Sequence, residues 1–150
     1  MEIKIKITPP IKELLAKLGA DVQEGINAGM TNLVSEVEAR AVKLTPVRTS
    51  NLVNSITSYI TKGRGTIRAT APYASYVHEG TGLYGPHKQM IIIKAKPGKA
   101  LYWPGAEHPV KSVRQKGHRP NPFFDKAVKQ INPQKIFDEG IQQFLKMRGW

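Results

Sequence analysis

Four histidines, His78, His87, His108 and His118, are the side chains with the widest chemical reach in this 150-residue chain. Two imidazoles hold zinc together when they stand three or four residues apart on a helix face. Here the separations are nine, twenty-one and ten residues, so no local ligand pair forms. Histidines that anchor loops are the simpler expectation. His78 precedes Glu79 directly, and helical neighbours point in different directions. A metal-dependent nuclease needs clustered carboxylates, yet Glu107 is the sole acid between residues 81 and 120. There is no cysteine, which excludes disulfides, thiolate metal sites and a thiol nucleophile. No GxSxG elbow occurs, and the KGRG stretch at 62–65 lacks the spacing of a phosphate loop. The expectation is a protein that is not an enzyme and has no metal and no cofactor.

Binding chemistry is better represented. The net charge is +12, and it is unevenly placed. Residues 1–80 carry ten Lys/Arg and seven Asp/Glu, a net of +3, whereas residues 81–120 carry eight and one, a net of +7. Within that segment Lys94, Lys96, Lys99, Lys111, Arg114, Lys116 and Arg119 are interleaved with Tyr102 and Trp103. Cations beside aromatic stacking platforms are the equipment of single-strand binders. The same residues would equally dock an acidic protein or keep a sheet face wet. No zinc-finger spacing or RNP-type strand accompanies them.

The elements that must position these groups are legible from periodicity. Residues 2–8 alternate, with Ile3, Ile5 and Ile7 on one side, which predicts a strand. Thr8-Pro9-Pro10 ends it and favours a short helix from about Ile11 to Leu18. A long helix is predicted over Ala20–Leu44, its stripe marked by Val22, Ile26, Leu33, Val37 and Leu44 beside Met30, Val34 and Ala41. Gly25 and Gly29 lower its propensity, so packing must stabilise it. Pro46 ends the helix and pushes Thr45 towards extended geometry. Thr49 or Ser50 is placed to cap one turn.

Asn54–Thr61 and Thr66–Ala71 alternate around Gly63-Arg64-Gly65, which predicts a hairpin. A helical turn or two follows Pro72 and closes at Gly80. Met90–Lys96 is a strand. Ala100–Trp103 is expected to pair back on it after Pro97-Gly98, with Val110–Gln115 as a further strand. Phe123–Gln130 and Pro133–Met147 are helical, the second with an apolar face of Ile136, Phe137, Ile141, Phe144 and Leu145.

The expected class is therefore α+β. A long N-terminal helix and a C-terminal helix pack on an antiparallel sheet of four to six strands. One domain spans 1–150, with a basic loop or strand insertion at about 83–118. No apolar run approaches the roughly 18–20 residues of a membrane span, and the first residues lack a signal-peptide core. That fits a protein made and used inside a cell, or packed into a particle there, with no membrane partner.

Three segments stand out in order: TPVRTSNLVNSI at 45–56, APYASYVHEGTG at 71–82 and HRPNPFFDKAV at 118–128. This order resembles the small neck and tail-completion proteins of tailed phages, often labelled tail components. Their pattern runs TPVxTGxLxxSI, then YAxYVExGT, then xxPFxxxA. The matching positions here are Thr45, Pro46, Thr49, Leu52, Ile56, Tyr73, Tyr76, Val77, Gly80, Thr81, Pro122 and Phe123. Ser50 stands where the family has glycine, and His78-Glu79 fills the slot of its acidic-aromatic pair. The resemblance spans about residues 25–130.

It implies a virion protein at the head–tail junction, acting in tail completion or head–tail joining. Its partners would be other neck and tail proteins. The chain would form a ring-shaped homo-oligomer in the particle, compatible with monomers before assembly, and DNA would pass near the channel. Most motif residues also have folding roles: Leu52 and Ile56 enter the core, and the tyrosines offer broad apolar faces. The basic segment is the candidate contact surface. A basic nucleic-acid-binding domain using 94–119 is the alternative.

Overall fold

The computed structural model describes residues 1–5, 21–48, 50–61 and 63–149. The helix expected at Ile11–Leu18, together with Ile7 and Thr49, lies outside the described residues. Two compact units emerge. The first comprises Met1–Ala74 and Phe123–Trp150, and the second is the continuous segment Ser75–Pro122.

In the first unit, strand β1 (Glu2–Ile5) is followed by helix α1 (Val22–Leu44), the short helix α2 (Asn51–Asn54) and strands β2 (Ile56–Thr61) and β3 (Arg64–Ala69). After the second unit come helices α4 (Phe123–Lys129) and α5 (Pro133–Met147). The sheet order is β1-β3-β2, all antiparallel. Gly65 pairs with both Ile5 and Ile60. It therefore belongs to the central strand and not, as expected, to the turn.

The reason is packing. A Cβ at Gly65 would lie 2.3 Å from Val34 Cγ2 and 3.1 Å from Met30 Sδ. The missing side chain lets α1 press directly onto the middle strand.

The buried face of α1 runs through Met30, Leu33, Val34, Val37 and Ala41, while Ile26 and Leu44 flank it, half-buried. Gly29 is buried too. A Cβ there would meet Phe137 ring carbons and the Phe137 carbonyl, all at 2.9 Å. Helix α5 thus approaches α1 at a glycine, and Asn32 Nδ2 donates to the Ile136 carbonyl across the same crossing at 2.7 Å.

Asn132 caps α5 by accepting from the Lys135 N–H at 3.2 Å, with Pro133 opening the first turn. Phe123, Phe124 and Phe137 are fully buried. Such side chains contribute on the order of 1.5–3 kcal/mol each. At the far end Arg148 donates to Asp21 at 3.4 Å and to Glu24, exposed pairs worth about 0–1 kcal/mol.

The second unit holds helix α3 (Ala74–Glu79) from its second residue, Ser75, onward, a 3-10 turn at Gly82–Tyr84, and strands β4 (Ile91–Lys94) and β5 (Ser112–Gln115). The mixed helix-and-strand class and antiparallel pairing hold, but the strands do not share one sheet. Among the described residues they divide into a sheet of three and a ribbon of two. Strand β4 pairs with β5, not with Ala100–Trp103 as expected. Leu101 instead bridges Val110. Pro104 and Pro109 bound the intervening loop and cannot donate to a ladder, whereas Val110–Gln115 is an unbroken stretch with β-branched Val110 and Val113. No described helix is long and apolar enough to cross a membrane.

Candidate functional site

The ribbon of the second unit is anchored by a chain crossing. The Thr81 N–H donates to the His118 carbonyl at 3.0 Å and the Leu83 N–H to the Lys116 carbonyl at 2.8 Å. The His118 N–H returns a bond to Thr81 Oγ1 at 2.9 Å. Gly82 (φ +64°) and Gly117 (φ +90°) meet at this crossing. A Cβ at Gly117 would lie 2.1 Å from the Thr81 carbonyl oxygen, and one at Gly82 2.3 Å from that of Lys116. Only glycine satisfies both the left-handed backbone and the contact.

From this base the ribbon extends. Ile91, Ile92, Ile93 and Lys94 pair with Gln115, Arg114, Val113 and Ser112. The pairing continues through the Ala95 N–H to the Lys111 carbonyl at 2.8 Å. The chain then bulges at Lys96–Lys99 and closes again at Leu101 and Val110, which exchange bonds of 2.8 and 3.0 Å. Residues 102–109 form the tip.

All nine residues expected to contact a partner fall in this unit and all are exposed: Lys94, Lys96, Lys99, Tyr102, Trp103, Lys111, Arg114, Lys116 and Arg119. The Arg119 guanidinium also lies 5.7 Å from the centre of the Tyr84 ring. Tyr102 is 68% and Trp103 45% exposed. Sequence reasoning missed that Met90, Ile92 and Ile93 are exposed as well. The signal was present: four consecutive apolar residues make both faces of a strand apolar, and among the described residues β4 pairs only with β5, in a ribbon of two strands.

The family-motif residues divide by role. Thr45 is buried and closes α1, its Oγ1 donating to the Ala41 carbonyl at 2.7 Å, and its backbone is extended as expected. Leu52, Ile56 and Phe123 are core. Gly80 is buried, while Val77, Thr81 and Pro122 are half-buried. Pro46 and Tyr73 face solvent, as does Tyr76 at 62% exposure. The tyrosines are therefore surface groups. Ser50 occupies the N-cap position of α2, but its side chain makes no capping bond. Its φ is +60°, the left-handed conformation that suits the family's glycine.

Beside α3 the second unit has a groove of about 490 Å³, lined in part by Tyr76, Glu79, Thr81, Pro86, His87 and Gln89. Among the described residues no three His, Asp or Glu side chains gather as metal ligands.

Residues 11–80 match the model of a family described as "Bacteriophage HK97-gp10, putative tail-component". The match takes in α1, the TPVRTSNLVNSI segment and α3 through Gly80, and it ends before the ribbon. The resemblance to phage tail components is borne out over those residues, and it supports a structural role in a phage tail. No curated protein and no solved structure matches the chain.

Proposed function

We propose that this chain is a structural, non-catalytic component of a tailed-phage particle that acts at the head–tail junction, in tail completion or head–tail joining. Its place is the virion, and its neighbours are other neck and tail proteins. Identical copies form a ring, each contact joining two different surfaces of successive subunits. Free protomers remain monomeric until assembly raises their local concentration.

The observation that carries this reading is the ribbon itself. An isolated two-stranded hairpin is marginal in water, and this one exposes Met90, Ile92, Ile93, Tyr102 and Trp103. Clustered apolar exposure of this kind marks an interaction surface. The lysines and Arg114 around it keep the free subunit soluble and steer it to partners.

A second reading has its own support: the same cations flank Tyr102 and Trp103, a stacking arrangement suited to single-stranded nucleic acid. Salt separates the two. Light scattering of the concentrated protein is expected to show self-association that persists at high salt, because protein interfaces bury apolar area. Nucleic-acid binding would instead appear in oligonucleotide anisotropy and fall steeply as salt rises. Salt-sensitive DNA binding without self-association would reverse the preference.

A further inference from the structure

We propose that the ring contact is made by the ribbon tip of one copy, with Trp103 as its wedge, seated in the groove beside α3 of the next copy. The inference rests on the ring reading above and names the two surfaces that meet. An apolar projection and a pre-existing pocket elsewhere on the same molecule make a heterologous contact, which closes into a ring when the rotation allows.

Both halves are present in the Ser75–Pro122 unit. The projection is Tyr102 and Trp103, exposed and held between the Leu101–Val110 bridge and Pro104. The receptor is the 490 Å³ groove with Tyr76 and His87 on its wall, large enough for an aromatic side chain.

Charge complements shape. The unit carries eight Lys/Arg but only two acids, Glu79 and Glu107. Glu79 lines the groove, whereas the bulge behind the tip carries Lys96 and Lys99, both exposed. Docking the tip brings those cations towards the one carboxylate of the groove.

A chain cannot fill its own groove this way. Ile91 lines the groove and pairs with Gln115, while the tip begins beyond Val110. At about 3.4 Å per residue the paired strand keeps the two some 15–17 Å apart. The proposed occupant is therefore the tip of a second copy.

The absence of cysteine allows a clean test by disulfide trapping. Full-length Gln89→Cys and Tyr102→Cys proteins are mixed under oxidising conditions, with native mass spectrometry on the same samples. The expected result is a disulfide between the two proteins. It should be absent when Asp138→Cys replaces Gln89→Cys, and lost when Trp103→Ala is added to the Tyr102→Cys protein. Trp103→Ala alone should weaken self-association roughly thirtyfold, the effect of removing a central aromatic anchor. Circular dichroism of the Trp103→Ala protein checks that it still folds.

Oligomers without the Gln89–Tyr102 link, or equal trapping by Asp138→Cys, would overturn this contact and leave the ring reading intact. Neither oligomer nor link at the highest attainable concentration would overturn both.

Discussion

Gly140 of α5 lies against Gly29 of α1 so closely that a Cβ on Gly140 would sit 2.8 Å from the Gly29 Cα and 2.9 Å from the Ala28 carbonyl oxygen. Neither obstacle is a flexible side chain that could move aside. Alanine normally stabilises a helix by about 1 kcal/mol relative to glycine, but overpacking here costs about 1–3 kcal/mol and the helices would have to separate. Gly140→Ala is therefore expected to lower the melting temperature. Gly25→Ala should raise it, because a Cβ there meets only the Phe144 ring at an ordinary 3.6 Å. Thermal melts of the two variants check the contrast. A stabilised Gly140→Ala would show that the helices do not meet at these residues.

Ser50 pays for its left-handed backbone. A non-glycine residue at φ +60° costs about 1–2 kcal/mol, and glycine offsets part of that relief through the extra freedom it gives the unfolded chain, about 0.5–1 kcal/mol. Ser50→Gly is expected to stabilise the protein by roughly 0.5–1 kcal/mol, measured by urea denaturation. Because Ser50 makes no capping bond, nothing is lost in exchange.

Gly117 is the strictest position in the second unit. With φ +90° and the Thr81 carbonyl oxygen 2.1 Å from any Cβ, Gly117→Ala cannot keep the crossing, at a cost of about 3 kcal/mol or more. Hydrogen exchange should show lost protection at the Thr81 and Leu83 amides, which donate to His118 and Lys116. The amides of β3 should remain protected.

Replacing Lys94, Lys96 and Lys99 with glutamine should leave thermal stability within about 0.5 kcal/mol, as expected of exposed positions. What should fall is the rate of association at low salt, since rim charges act mainly on encounter. Stopped-flow mixing at two salt concentrations measures this. An equal loss at high salt would assign the lysines to buried contacts.

The legibility of the chain in its sequence follows the reach of each signal. Helix α5 spans Pro133–Met147 as periodicity predicts, because Asn132, Pro133 and a regular apolar stripe are all local. The Ile56–Ile60 alternation marks β2 for the same reason. Gly29 announces only that packing must compensate for it. That its partner is Gly140, more than a hundred residues later, is a tertiary fact that no window of sequence contains. Ala100–Trp103 looks like the natural return strand because it is adjacent. Pro104 and the longer Val110–Gln115 segment decide otherwise, and pairing competition is not visible one segment at a time. The Lys94–Arg119 cations and the aromatic pair were legible as a surface, since charge density needs no fold. The exposure of Ile92 and Ile93 was legible only in part: four apolar residues in a row make both faces of the strand apolar, but the segment does not say how many layers cover them.

Cryo-electron microscopy of the phage or induced prophage particle that carries this chain tests the central claim most directly. Density for the chain is expected as a symmetric ring between head and tail, with the 90–116 ribbon in contact with neighbouring protein. Mature particles that lack the chain altogether would contradict it.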